Sequence, residues 1–146
     1  MKIAFTNDHA ALEMRQYLLE YLRKNEHEII DCGVVSADSV DYPDLAEKAV
    51  RVVADGKADL AILVCGTGIG MSIAANKVRG IRCALCTDPY SAQMAREHNN
   101  ANAIALRGRK VTPESNRAIL ESFLNAQFEG GRHQRRIDKM TALENA

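Results

Sequence analysis

A cysteine followed by a glycine-rich turn is the stretch of this sequence best suited to chemistry. Cys65 comes directly after the apolar run Leu60–Val64 and is followed by GTGIG, the glycine turn Gly66–Gly70. The apolar run predicts a buried strand, and the glycines allow a sharp turn into a helix that begins near Met71. Backbone N–H groups left unpaired at that helix start, with the positive end of the helix dipole behind them, favour an anion and the thiolate form of the cysteine.

A thiolate that faces backbone N–H donors is suited to removing a proton from carbon. The donors would stabilise the oxygen that gains negative charge during the transfer. Nucleotide-binding motifs do not fit, because a P-loop needs Gly-Lys followed by Ser or Thr, and a dinucleotide fingerprint needs G-x-G-x-x-G after the first strand. The structural alternative is that Cys65 is a small buried core residue, a frequent role of cysteine. Its position between a strand end and a helix start favours the functional interpretation.

Other polar residues fall where a site could use them. Asp8 and His9 follow the first predicted strand, where a helix cap and a solvated histidine are the ordinary alternatives. Arg132, Arg135 and Arg136 have the spacing i, i+3, i+4 and line one face of the last predicted helix. Guanidinium groups bind phosphate well, although a solvated basic face is the ordinary interpretation of such a cluster. No group of His, Cys, Asp or Glu has the sequence spacing of a metal site.

Five short apolar runs alternate with helical patterns, and this alternation predicts an α/β fold. The expected architecture is a three-layer α/β/α sandwich around a five-stranded, Rossmann-like parallel sheet, with the site at the carboxyl ends of the strands. His98 and Asn99 precede the last strand, so a helix end or a partner subunit must bring them to that edge. The predicted strands cover residues 2–6, 28–31, 60–64, 82–86 and 101–106. The predicted helices cover residues 10–25, 43–56, 89–98 and 113–125, with a short helix through residue 75 and a last helix that begins at residue 132.

Composition narrows the classes of function. The chain has 146 residues and a formal net charge of zero, which suits one domain without a nucleic-acid partner. No apolar run is as long as the ~18 residues that a membrane span needs. The N-terminus lacks a signal segment. We therefore predict a cytoplasmic protein. The four cysteines are too scattered for a disulfide framework. Cys83 and Cys86, three apart in a predicted strand, should point to opposite faces as core residues.

Five segments carry a specific resemblance to a known family. They are NDHAA from Asn7, DYP at 41–43, CGTGIGMSIAANK from Cys65, PYSAQMAREHNNAN from Pro89 and FEGGRHQRR from Phe128. In this order, over nearly the whole chain, they resemble ribose-5-phosphate isomerase type B, whose wider family includes galactose-6-phosphate and allose-6-phosphate isomerases. The resemblance implies an aldose–ketose isomerase of the pentose phosphate pathway that interconverts D-ribose 5-phosphate and D-ribulose 5-phosphate through an enediolate.

The resemblance also implies how the chain is organised and what it binds. It implies a single domain, 1–146, in which residues 126–146 form a C-terminal extension whose helix reaches the partner subunit. The assembly would be a homodimer or a dimer of dimers with active sites shared between subunits. The ligand would be a phosphorylated pentose, and neither a cofactor nor a metal ion is expected.

The resemblance assigns roles residue by residue. Cys65 resembles the base that moves the proton between C1 and C2, with Thr67 assisting, and His98 with Asp8 resembles the pair that opens the furanose ring. Some family members use a glutamate just after the glycine turn, whereas this chain has Met71–Ser72 there. The remaining implied contacts are the backbone amides of Gly66, Gly68, Ile69 and Gly70, then Tyr42 and Asn99 beside the sugar, and His9, Arg109, Arg132 and Arg136 around the phosphate.

Two alternatives stay open at this stage. The same chemistry could act on a six-carbon sugar phosphate, for which the loop between residues 32 and 44 and the pocket near Tyr42 must admit one more carbon. A protein that binds a sugar phosphate without catalysis would use the same glycine turn and arginines.

Overall fold

Five parallel strands form one sheet in the order β2-β1-β3-β5-β4. The structure, a computed structural model, describes residues 1–146. All four strand pairs are parallel, so each connection crosses over the sheet, and helices cover both faces. The strands are β1 Lys2–Asn7, β2 Glu28–Asp31, β3 Leu60–Cys65, β4 Cys83–Leu85 and β5 Ala103–Arg107, and the helices are α1 Leu12–Lys24, α2 Tyr42–Ala54, α3 Ile69–Ala75, α4 Pro89–Glu97, α5 Pro113–Asn125 and α6 Arg132–Leu143.

Alternation along the central strands divides the core between the two faces of the sheet. In β3, Ile62 and Val64 pack with α1, α4 and α5, whereas Leu63 and Cys65 pack with α2 and α3. All six β3 residues are buried, as expected for a central parallel strand covered on both faces. The predicted three-layer α/β/α fold is therefore confirmed.

The elements differ from the sequence prediction mainly at their ends. β4 is shorter than predicted because the Arg82 N–H donates to the side chain of Asn102 at 2.8 Å rather than to a strand. Helix α3 begins at Ile69, inside the glycine turn, and not near Met71. A 3-10 turn at His9–Ala11 precedes α1, where the sequence predicted a helix from residue 10.

The remaining cysteines are core residues, as predicted. Cys83 and Cys86 are buried in the two different halves of the core, so their thiols face away from each other across the sheet. Burial raises the pKa of Cys83 to about 12 and that of Cys86 to about 11, which keeps both thiols protonated. None of the helices is long and apolar enough to cross a membrane.

Candidate active site

The glycine turn joins the carboxyl end of β3 to the start of α3 and leaves most of its amides free. Gly68 has φ of 79°, a left-handed conformation that suits glycine, and caps the helix. The amides of Gly66, Gly68 and Gly70 donate to no acceptor in the chain. The Ile69 amide, which we predicted among the free donors, instead donates to Thr67 Oγ1 at 3.2 Å. The turn therefore presents unpaired donors directly after the buried Cys65, but Ile69 is not one of them.

Asp8 directly follows β1, next to the end of β3 that carries Cys65. The register pairs Asn7 with Val64, and the Asp8 N–H donates to the Val64 carbonyl at 3.1 Å. This hydrogen bond holds Asp8 at the carboxyl end of β3, where Cys65 is the last residue. Asp8 Oδ1 accepts from the Ala10 N–H at 2.9 Å, so this carboxylate does cap the first turn, while Oδ2 has no partner in the chain. Asp8 is thus fixed by one oxygen and available through the other.

The ring of His9 is oriented by the long loop that follows β2. The Val40 N–H lies 3.2 Å from His9 Nδ1. A backbone N–H can only donate, so Nδ1 carries the lone pair and the proton of the neutral ring sits on Nε2. This tautomer leaves an N–H donor free to bind an oxyanion such as a phosphate oxygen.

That loop is tied to the sheet through Asn7, a residue that received no role in the sequence prediction. Asn7 Nδ2 donates to the Val34 carbonyl at 2.9 Å, and Asn7 Oδ1 accepts from Arg15 Nη1 at 2.9 Å. Arg15 forms a forked ion pair with Asp31, and its hydrogen bond lowers the pKa of that carboxyl. A Cβ at Gly33 would lie 2.0 Å from Asn7 Oδ1, so only glycine fits there. Asn7 is therefore a structural anchor of the loop.

Tyr42 and Arg109 flank the glycine turn. A Cβ at Gly70 would lie 2.4 Å from Cε1 of Tyr42, and a Cβ at Gly66 would lie 3.6 Å from Nη1 of Arg109. The Arg109 N–H donates to the Gly66 carbonyl at 3.2 Å, which holds the two segments together. A cleft of about 350 Å³ opens at this edge and is lined by Gly66, Thr67, Ile69, Leu85, Thr87, Arg107, Arg109 and Lys110.

The other predicted site residues lie at the opposite edge of the sheet. His98 caps the carboxyl end of α4, which runs back from the carboxyl ends of the strands to their amino ends. Arg82, just before β4, donates to the Asn99 carbonyl at 3.1 Å and so fixes this segment at the amino edge. The six residues of β3 separate the two edges by about 16 Å. One chain therefore does not bring His98 close to Cys65.

The start of α6 joins His98 at this second edge. The Glu129 N–H donates to the Glu97 carbonyl at 3.0 Å, and α6 begins three residues later at Arg132. The side chains of Arg132 and Arg136 are exposed and form no ion pair within the chain, and the same holds for Arg109 at the first edge. The phosphate ligands implied by the resemblance are thus divided between the edges, with His9 and Arg109 on one and Arg132 and Arg136 on the other.

Two residues at the second edge were not singled out from the sequence. The ring of His133 stacks on that of His98, with centroids 4.2 Å apart and planes inclined by 12°. Glu129 Oε2 lies 3.8 Å from His98 Nε2 and 3.4 Å from His133 Nε2. Only the fold brings His98 to the other two, which explains why sequence spacing gave no sign of the cluster.

Comparison with known proteins places the chain among the sugar isomerases. The sequence profile of the ribose/galactose isomerase family matches residues 3–140. The chain belongs to this family, which confirms the resemblance inferred from the five segments.

Individual relatives agree with this assignment over their whole length. Ribose-5-phosphate isomerase B of Escherichia coli is 45% identical over 143 residues, which cover 98% of this chain and 96% of the relative. The structure of ribose-5-phosphate isomerase B from Clostridium thermocellum is 44% identical and superimposes with a TM-score of 0.97, covering 99% of this chain and 98% of that one. The Mycoplasma genitalium enzyme, solved with bound ribulose-5-phosphate, is 42% identical with a TM-score of 0.93, covering 99% of this chain and 96% of that one.

Proposed function

We propose that this protein interconverts D-ribose 5-phosphate and D-ribulose 5-phosphate, with Cys65 as the base that moves a proton between C1 and C2. The observation that carries the proposal is the buried thiol of Cys65 at a turn whose Gly66, Gly68 and Gly70 amides have no acceptor in the chain. The names of the relatives support the choice of substrate, because the Escherichia coli and Clostridium thermocellum proteins are ribose-5-phosphate isomerases B.

The reaction begins with opening of the furanose ring. Asp8 and His98 act as the acid–base pair: one takes the proton of the C1 hydroxyl and the other gives a proton to the ring oxygen as the C1–O bond breaks. Asp8 offers its free Oδ2 and His98 a partly exposed ring, which suits both to contact the sugar. The product is the open-chain aldehyde with its carbonyl at C1.

Proton transfer then passes through an enediolate. The thiolate of Cys65 removes the proton from C2, the electrons form the C1–C2 double bond, and the charge moves to the C1 oxygen. The free amides of the glycine turn stabilise that oxyanion. Cys65 returns the proton to C1, and the hydroxyl proton moves from the C2 oxygen to the C1 oxygen with help from Thr67, whose Oγ1 accepts from the Ile69 N–H and keeps its own proton available.

The phosphate is bound by side chains and not by the amides of the glycine turn. Arg109 and the Nε2–H of His9 approach it from one edge, and Arg132 and Arg136 approach it from the other. Guanidinium forks bind the phosphate oxygens through paired, charge-assisted hydrogen bonds. This arrangement leaves the glycine turn to the reacting oxygens.

A complete site needs two copies of the chain. Cys65 and Asp8 lie about 16 Å along the strands from the edge that carries His98, so the second copy must supply the residues of that edge. The C-terminal segment 126–146 carries two of them, and we propose that its helix reaches the partner in a homodimer or a dimer of dimers. The single-domain protein would act in the cytoplasm, in the pentose phosphate pathway, on a phosphorylated pentose and without a cofactor.

Replacing Cys65 tests the proposal directly. Cys65→Ala should lower kcat by about 10²–10⁴-fold, the contribution of a positioned base, while Cys32→Ala should stay active because that buried thiol follows β2 and not β3 with its glycine turn. Deuterium from solvent should appear at the transferred position in the wild-type product. Activity near wild type in a folded Cys65→Ala protein would exclude Cys65 as the base, and binding without deuterium incorporation would indicate a non-catalytic protein.

A six-carbon substrate is the second candidate, because the matching family includes galactose isomerases. Tyr42, whose ring packs against Gly70, is proposed to line the sugar and would then limit the space for another carbon. Specificity constants for ribose, allose and galactose phosphates separate the candidates. We expect the pentose to have the highest kcat/KM.

A further inference from the structure

Three metal-ligating side chains meet at the end of α4. One ring nitrogen of His98, one ring nitrogen of His133 and one oxygen of Glu129 all lie within 4.8 Å of one another. Tetrahedral coordination by bonds of 2.0–2.1 Å places neighbouring ligand atoms about 3.4 Å apart. Glu129 Oε2 is 3.4 Å from His133 Nε2 and 3.8 Å from His98 Nε2, close to that spacing.

The backbone holds Glu129 and His133 in place. The Glu129 N–H donates to the Glu97 carbonyl at 3.0 Å, and the His133 N–H donates to the Gly130 carbonyl at 3.1 Å. Gly130 and Gly131 have φ of 69° and 56°, so the chain turns between the two ligands through conformations that few other residues adopt. The two ligands are therefore positioned before any ion arrives.

His98 supplies the movable part of the cluster. Its ring lies parallel to that of His133, and an ion can lie in the planes of both rings only after one of them rotates. The side chain of His98 is 38% exposed and has room to turn, whereas that of His133 is 9% exposed and is held by packing. Rotation of the His98 ring out of the stack would let a lone pair of each ring point to an ion beside Glu129.

We propose that His98, Glu129 and His133 form a binding site for a divalent transition-metal ion, and that an ion bound there inhibits the enzyme. Two imidazoles and a carboxylate suit Zn²⁺ or Co²⁺ better than Mg²⁺ or Ca²⁺, which prefer all-oxygen sites. Three protein ligands leave a fourth position for water. Inhibition follows because the ion occupies Nε2 of His98, and this half of the inference rests on the proposed role of His98 in ring opening.

Metal binding is tested with the full-length protein and the metal alone. Calorimetric titration with Zn²⁺ should give one ion per chain, and Glu129→Gln and His133→Gln should each weaken binding at least about 10-fold. Glu121→Gln and His27→Gln are the matched controls, since both residues lie outside the cluster, and they should bind Zn²⁺ as the wild type does. Unchanged affinity in Glu129→Gln and His133→Gln, or no binding, would overturn the site.

A spectroscopic probe separates this cluster from the thiol of Cys65, which could also bind a metal. Co²⁺ held by nitrogen and oxygen gives weak visible bands, whereas a cobalt–thiolate bond adds an intense near-ultraviolet band. We expect the wild type with Co²⁺ to show only the weak visible bands, and we expect His133→Gln to lose them. An intense near-ultraviolet band that survives in His133→Gln and disappears in Cys65→Ala would place the ion at the thiol and overturn the proposal.

Inhibition is measured against each protein's own metal-free activity. The Zn²⁺ concentration that halves activity should rise at least about 10-fold in Glu129→Gln and His133→Gln, in parallel with the loss of affinity. Zn²⁺ that binds at the cluster but leaves activity unchanged would overturn the inhibitory half and the role of His98, while the metal site itself would stand. Loss of activity in Cys65→Ala with normal Zn²⁺ binding would test Cys65 as the base, and neither the metal site nor its inhibition depends on that result.

Discussion

The Nδ1 atom of His9 accepts a hydrogen bond from the Val40 N–H, 3.2 Å away, across 31 residues of sequence. The loop that carries Val40 is tied down at its other end, where Asn7 donates to the Val34 carbonyl and is itself held by Arg15. The forked pair of Arg15 with Asp31 completes the chain of contacts. The orientation of a proposed phosphate ligand thus depends on an ion pair at the end of β2.

Asp31→Asn tests this anchor through the pH dependence of stability. The Arg15 hydrogen bond lowers the pKa of Asp31, so the carboxylate stabilises the folded state above its unfolded pKa of about 3.9. The variant should lose about 1 kcal/mol at pH 7, a value discounted for the partial exposure of the pair. Urea unfolding should show the difference from wild type closing as pH falls from about 4 through the lowered pKa. Asp55→Asn, an exposed control, should show no such convergence, and a gap that persists at low pH would contradict the anchor.

Gly70→Ala tests the packing of Tyr42 against the glycine turn. The new methyl group would clash with Cε1, Cζ and the hydroxyl oxygen of Tyr42, whose side chain must therefore move away. Because Tyr42 is proposed to line the sugar, kcat/KM should fall by about 10-fold or more, the cost of a misplaced substrate contact. Steady-state kinetics of Gly70→Ala, Tyr42→Ala and the double variant measure the coupling. Fully additive effects would show that the methyl group does not act through Tyr42.

Arg136→Ala tests the phosphate site on α6. Loss of one charge-assisted hydrogen bond costs about 1.5–3 kcal/mol, which lowers kcat/KM for ribose 5-phosphate by about 10–150-fold. Arg135→Ala is the matched control on the same helix, since the resemblance gives that residue no phosphate contact, and its kcat/KM should change less than about 3-fold. Inorganic phosphate should also inhibit Arg136→Ala more weakly than wild type. Equal losses in the two variants would indicate a general effect of charge instead of a specific ligand.

The fold is well predicted from the sequence because it depends mainly on the strongest local patterns of apolar residues and glycines. The apolar run before Cys65 and the glycines after it define a strand and a turn into a helix, and both lie where they were expected. The ends of the elements were less predictable because tertiary contacts determine them. The Arg82 N–H, for example, donates to the Asn102 side chain, and β4 begins only after it. Boundaries of short strands depend on such partners, which sequence periodicity does not reveal.

Parts of the site depend on contacts between distant segments and could not be predicted from local pattern. The local sequence indicates only that Asn7 is a polar residue at the end of a strand. Its contacts with Arg15 and the Val34 carbonyl identify it as an anchor of the loop. Glu129 and His133 have the spacing of an ordinary helical pair, and their partner His98 joins them because the Glu129 N–H donates to the Glu97 carbonyl and the two histidine rings stack. The sequence resemblance assigned residues to a site without showing that one chain holds them at two separate edges.

Mixing two inactive variants tests the shared site most directly. A dimer of one Cys65→Ala chain and one His98→Asn chain has one site that carries both changes and one wild-type site. About half of the dimers in a statistical mixture are such hybrids, so about a quarter of wild-type activity should return. Cys65→Ala mixed with Arg109→Ala is the control, because both residues lie at the same edge and no hybrid site is intact. Recovery with the first pair and none with the second is the predicted result. No recovery with the first pair, in hybrids shown to form, would contradict a site built from Cys65 of one copy and His98 of the other.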